Sequence, residues 1–176
     1  MPKTQMYMPE EQLKPSSIHF TDIPVNAYDK NIDQERENYT NEDFLRIFRD
    51  MAILREFESA LTQIKNQGAY NGIETSYAGP AHLSLGQEAA AVGQAYLLDR
   101  NDFTFGSHRS HSEILAKAFS AIQKLPDEEL MRVMKNYLDG RILKVVEGMP
   151  SSASVKATAY NFMIYGTMAE IFARET

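Results

Sequence analysis

The feature that most constrains this chain is an apolar stripe running unbroken from residue 44 to residue 64. Phe44, Ile47, Phe48, Met51, Leu54, Phe57, Leu61 and Ile64 recur every three or four residues, the repeat of an α-helix with one buried face. Thr40 stands just before it with Asp43 three residues on, a capping-box-like start, and Gly68 is a natural stop. The spacing predicts one amphipathic helix over roughly 41–67. A helix of that length presents about 40 Å of face, so the rest of the chain must supply partners for it.

Residues 1–39 are polar and interrupted by Pro2, Pro9, Pro15 and Pro24. They read as an extended N-terminal arm or a partly disordered tail whose few apolar residues, Ile18, Phe20, Ile23 and Val25, are available to lie along another surface. Residues 68–82 read as loop, with Gly68, Gly72, Gly79 and Pro80. Ser84-Leu85-Gly86-Gln87 is a second capping-box pattern, predicting a helix over 85–98. Ala89, Ala90, Ala91, Gly93 and Ala95 keep that helix thin enough for a neighbour to approach closely. Asp102–Gly106 reads as a short strand. Ser110 with Glu113 is a third capping-box pattern, followed by a helix carrying Ile114, Leu115, Ala118, Phe119 and Ile122. Pro126 with Asp127, Glu128 and Glu129 opens another, expected to end near Gly140. Residues 141–147 fit strand or helix equally, 149–156 read as a Ser-rich loop, and a last helix runs from about 158. It reaches Thr176 without a cap, so the expectation is of a chain cut rather than finished. The class expected is mainly α, with four to six helices, at most a couple of short strands, and a body over 40–176.

Composition removes several functions. The chain has 176 residues, 43% of them hydrophobic, enough for one domain with a core. There is no Cys, which excludes disulfides, thiolate catalysis and Cys-based zinc sites. The formal charge is −6 and no Lys/Arg cluster suggests a nucleic-acid face. No apolar run is long enough for a transmembrane helix and no signal-peptide pattern opens the chain, so a cytoplasmic protein without nucleic-acid or membrane partners is expected. A small-molecule site or a protein partner is left to carry function.

The chain has four histidines, and three gather at two expected helix starts: His82 before Ser84, then His108 and His111 around Arg109 and Ser110. A helix N-terminus offers unpaired N–H groups and partial positive charge. Arginine adds a fork suited to phosphate or carboxylate oxygens, and histidines can move protons near neutral pH. Gly106–His111 thus reads as an anion site with proton-transfer groups beside it. The plainer alternative, a surface arginine and hydrogen-bonded structural histidines, stays open on these grounds. His108-x-x-His111 is also the spacing of a metal pair, but no third ligand is apparent. Glu56 and Glu58, near Arg55, read as a solvated face with local ion pairs. Neither a Gly-rich phosphate loop nor a Ser nucleophile elbow occurs.

Three segments, in order, resemble a known family. Met51-Ala-Ile-Leu-Arg-Glu-Phe-Glu58 resembles the first-helix signature of the alpha chains of thiamine-diphosphate-dependent 2-oxo acid dehydrogenase E1 components. Gly79-Pro-Ala-His-Leu-Ser-Leu-Gly-Gln-Glu-Ala-Ala-Ala-Val-Gly93 is similar to their His-Leu-Ser-x-Gly-Gln-Glu-Ala segment. Asp102–Ala116 looks like their segment built on Tyr-Arg-x-His-Gly. The match covers roughly residues 42–120, with a weaker return at Met168–Phe172. Residues 121–165 read as an insertion, for which longer single-chain alpha–beta E1-like proteins with a similar Gly-Ser-His-Arg-Ser-His run are the nearest comparison.

The resemblance implies that the chain is the N-terminal part of the α/β thiamin diphosphate-binding fold. It implies thiamine diphosphate and Mg2+ as cofactors and oxidative decarboxylation of a 2-oxo acid, with the acyl group passed to a lipoyl carrier. It also implies an E1 beta-type chain or domain, a lipoyl-bearing E2 and a homo-oligomer as partners. Arg109 would contact the cofactor diphosphate, and His108, standing where the family has Tyr, would be a second cofactor contact. His82 and His111 are the catalytic candidates, His82 on the substrate side and His111 on the family's His, followed here by Ser112 rather than Gly. Glu88 is expected to be structural. The family's Gly-Asp-Gly, whose motif holds the metal, does not occur in the sequence, so the metal ligands are expected outside this chain and the isolated chain is expected to be inactive. A noncatalytic helical interaction module, or a truncated gene product, is the alternative function.

Overall fold

The computed structural model describes residues 8–15, 17, 19–25, 27–75, 79–80 and 82–173. It divides into two compact units, Met1–Glu37 and Asn38–Thr176. In the first, two single helical turns, α1 (Pro9–Gln12) and α2 (Ile32–Glu35), are the regular elements among the described residues. Helix α2 has a local signal in the sequence. Asn31 and Gln34 form a reciprocal capping box there, with bonds of 3.0 and 2.8 Å. Phe20, Ile23 and Val25 are exposed; Ile18 lies outside the described residues.

The second unit is built on α3 (Asn41–Gln67). Thr40 and Asp43 close its capping box, and Gly68 ends it with φ +67, a left-handed conformation that glycine adopts without steric cost. Leu54, Phe57, Leu61 and Ile64 are buried as their spacing requires, but Phe48 is 71% exposed. Two acids, Asp50 and Glu58, take places on the buried side instead. A two-residue hairpin follows, β1 (Ala69–Tyr70) against β2 (Ile73–Glu74), inside the stretch expected to be loop.

Four helices and a tight turn complete the body, with one more helix at its end. They are α4 (Glu88–Ala95), α5 (His111–Lys124), α6 (Asp127–Asn136), a 3-10 turn over Tyr137–Gly140, α7 (Arg141–Val146) and α8 (Val155–Ile171). Helix α4 packs on α3 and α5, and α8 gathers α5, α6 and α7. The chain is mainly helical. The ambiguous 141–147 segment is helical because Ile142, Leu143 and Val146 all reach the core, a three-to-four spacing that a strand would split between faces. Residues 102–106 are not a strand. Among the described residues no strand pairs with them, and an unpaired strand leaves its polar backbone unsatisfied.

The core is one cluster spanning α3 to α8. At its centre Phe119 is fully buried and stacks on the Tyr160 ring at 4.3 Å. The Tyr160 hydroxyl donates to the buried Asp50 carboxylate at 3.0 Å and accepts from Arg49 at 2.6 Å. Burial, with Asp50 alongside, pushes that phenol up to about 12. Helix α4 buries Ala91, Val92 and Ala95 while Ala89, Ala90 and Gly93 face outward. Only one side of the thin helix is used for close packing.

Phe119→Ala should cost about 3–5 kcal/mol, the usual range for emptying a buried aromatic site. Urea denaturation followed by circular dichroism checks this; a loss under about 1 kcal/mol would mean that the α5–α8 contact is not central to the core.

Candidate functional site

The site begins with a charge in an unusual place. Glu58 lies four residues after Leu54 and three before Leu61, at the middle of the buried stripe, and is 0% exposed. An ionised carboxylate there is costly unless it is hydrogen-bonded. One oxygen accepts the Ser84 backbone N–H at 3.0 Å, and the other lies 3.2 Å from His111 Nδ1. Ser84, itself fully buried, donates its hydroxyl to the Arg109 carbonyl. One carboxylate therefore ties together α3, the turn before α4 and the entry to α5.

These bonds explain why two expected capping boxes do not form. Ser84 uses its hydroxyl on Arg109, so the 84–87 segment is a turn, with the Gln87 N–H bonded to the Ser84 carbonyl at 2.9 Å. Helix α4 starts only at Glu88, with no side-chain cap. Ser110 likewise donates its hydroxyl back to the Ser107 carbonyl, leaving the first turn of α5 without a side-chain cap. The tight 106–110 turn needs Gly106, because a Cβ there would overlap the Ser110 side chain. The neighbouring Ser112 is 1% exposed, and its hydroxyl has no hydrogen-bond partner.

An ion pair holds the same turn as well. Arg55 grips Glu88 through two bonds, of 2.7 and 2.8 Å, and Glu88 also accepts the Gly86 N–H at 2.9 Å. The Arg55 hydrogen bond is the main reason that the Glu88 carboxyl is lowered to about 2. Arg55 thus pairs with a residue far along the chain, not with the neighbouring Glu56 or Glu58. Glu56 accepts from the Tyr70 hydroxyl.

Three of the four expected site residues share one exposed wall. The His82 and His108 rings meet edge to face, 4.7 Å apart at 85°. Arg109 follows directly, exposed, with its backbone N–H bonded to Ser107 Oγ at 3.2 Å. Among the described residues, Arg109 is the arginine whose guanidinium has neither an ion-pair nor a hydrogen-bond partner; Arg36, Arg46, Arg49, Arg55, Arg100, Arg132 and Arg141 each have one or the other. Its charge is available to an external anion, beside a helix start whose N–H groups no side chain caps. The fourth residue, His111, is turned inward, with one ring nitrogen on Glu58 and Phe57 at 6.2 Å. His108 and His111 therefore do not converge, and among the described residues no group of three or more His, Asp or Glu is placed to hold a metal.

Glu58 and Ser84 are the site residues that sequence reasoning missed. The signal for Glu58 was its position in the apolar stripe, where a solvated face was unavailable. Ser84 carried no comparable signal, since its partner lies 25 residues away in another segment.

A family model described as dehydrogenase E1 component matches residues 49–151, and the chain belongs to that family. Among curated relatives, it is 32% identical over 83 residues to a pyruvate dehydrogenase E1 component subunit alpha from Rhizobium meliloti, covering 47% of this chain and 22% of that protein. It is 26% identical to the mitochondrial pyruvate dehydrogenase E1 component subunit alpha of Chaetomium thermophilum, covering 59% of this chain and 24% of the relative. The chloroplastic subunit alpha-3 of Arabidopsis thaliana is 27% identical over 70% of this chain and 25% of its own length. The aligned region thus spans about a quarter of those proteins. No solved structure gives a significant match.

The Glu88 carboxyl is depressed in the fold, so its stabilisation is present above its ordinary value of 4.5 and is lost as pH falls through about 2. Asp43, lowered to about 2 chiefly by the Tyr96 hydroxyl, titrates in the same window. Acid unfolding followed by circular dichroism should therefore flatten below pH 4.5, without vanishing, in Glu88→Gln. An unchanged acid limb would show that the Arg55–Glu88 pair contributes nothing.

Proposed function

We propose that this chain forms one wall of the cofactor site of a thiamine-diphosphate-dependent 2-oxo acid dehydrogenase E1 component. The reaction is oxidative decarboxylation of a 2-oxo acid, with transfer of the acyl group to a lipoyl carrier. The observation that carries the reading is the free Arg109 guanidinium beside the uncapped start of α5, within the segment that matches the E1 family. A guanidinium and helix N–H groups suit the oxygens of a diphosphate. The fit is specific to that anionic part of the cofactor.

In this reading Arg109 and His108 hold the diphosphate, and His82 faces the substrate from the same wall. His111 holds or moves a proton beside it. Thiamine diphosphate, when bound, supplies the electron sink that decarboxylation of a 2-oxo acid requires. The chain's own contribution is orientation and charge: a wall braced by Glu58, Ser84 and the Arg55–Glu88 pair. Magnesium ligands belong to residues outside this chain, since the sequence contains no Gly-Asp-Gly. An E1 beta-type chain or domain completes the site, and a lipoyl-bearing E2 receives the acyl group. Pyruvate is the first substrate to test, because the relatives above are pyruvate dehydrogenase subunits.

The test is an assay of the assembled enzyme, this chain within its full reading frame or with its partner half. Arg109→Gln should raise the thiamine diphosphate concentration needed for half-maximal rate by roughly tenfold or more, the loss of one charge-assisted contact. An assembled enzyme indifferent to added thiamine diphosphate would reject the reading and favour a noncatalytic helical module.

A further inference from the structure

The Glu58 carboxylate does more than brace the wall. Both of its oxygens are committed, one to the Ser84 N–H and one to His111 Nδ1. A carboxylate can only accept, so the Nδ1 facing it must carry a proton whether the ring is neutral or charged. His111 Nε2 has no hydrogen-bond partner among the described residues, and the side chain retains 16% of its accessible surface. The charged residues next to His111 in sequence are Arg109, just before α5, and Glu113, two residues further along it. Two residues is about 200° of helix rotation, which directs Glu113 away from His111.

We propose that Glu58 is a positioning residue that confines proton exchange at His111 to Nε2. The ring then loses or gains its proton at one atom only, the one not anchored in the core. An unanchored imidazole would divide its proton between two nitrogens and two orientations, so only part of its population would be aligned for transfer. The proposal rests on the cofactor-wall reading only for where that proton goes. The tautomer itself follows from the buried pair.

The test is nitrogen NMR of the imidazole rings in the whole chain, with His111→Gln to assign the signal. Neutral His111 should carry its proton on Nδ1, leaving Nε2 bare. Glu58→Gln should reverse this. A carboxamide has a single oxygen; if that serves the Ser84 N–H, its NH2 group donates to Nδ1 and the proton moves to Nε2. Glu58→Asp, which keeps two acceptor oxygens, should retain the wild-type form. A wild-type ring protonated on Nε2, or a folded Glu58→Gln with unchanged ring signals, overturns the proposal, and the wild-type measurement decides even if the variant does not fold.

Titration with inorganic pyrophosphate separates this from the wall reading. The His82 and His108 signals should shift in wild type and in Glu58→Gln alike. Failure to shift in wild type rejects the anion wall and leaves the tautomer result standing. Loss of both the tautomer and the pyrophosphate response in Glu58→Gln reduces Glu58 to a purely structural brace and overturns its positioning role.

Discussion

The arrangement depends on one buried carboxylate. Glu58 sits among Leu54, Phe57 and Leu61, where ionisation is tolerated only if donors are brought to it. The donors come from two other segments, the Ser84 backbone and the His111 ring. Removing either would leave one oxygen of a buried carboxylate without its donor, which is more costly than losing an ordinary surface contact. Satisfying this group requires the 82–87 turn and the start of α5 to lie against α3. Ser84 passes the constraint onward by holding the Arg109 carbonyl.

Around that point the body divides its labour. The apolar cluster of α3 to α8 supplies stability without direction, and polar links supply the direction. Asp50, Tyr160 and Arg49 set α8 against α3 at one end. Arg55 and Glu88 set the start of α4 at the other. Between them the loops carrying His82 and His108 bring two rings into edge contact, with Arg109 beside them. The exposed side chains are the ones available to a ligand, and the buried polar ones hold the backbone that presents them. This is how a mainly helical scaffold carries His82, His108 and Arg109 on irregular backbone whose polar groups are held from the core side.

Much of this was legible from the chain. The long helix, its Thr40 cap and its Gly68 stop follow from spacing and local chemistry, because capping groups lie within a few residues of each other. The three family segments pointed to His82, His108, Arg109 and His111 as one group, of which His82 and His108 meet and His111 turns inward. What failed was any inference that needed a distant partner. Ser84 and Ser110 have the local signature of helix caps, yet each hydroxyl is spent on a carbonyl instead. Arg55 has acids one and three residues along, yet its partner is Glu88. Asp102–Gly106 has the residues of a strand, yet among the described residues no strand pairs with it.

The sequence by itself determined the helical periods, the anion-friendly residue types at the start of α5 and membership of the dehydrogenase E1 component family. Those are properties of short windows, in which side chains meet through backbone geometry alone. Only the tertiary structure decided that Glu58 is buried rather than solvated, that Arg109 is left unpaired while other arginines are engaged, and that His111 turns inward. Which donor reaches which acceptor across 25 or 53 residues depends on how α3, α4 and α5 pack. That packing is set by the summed burial of the whole core, and no local stretch of residues encodes it.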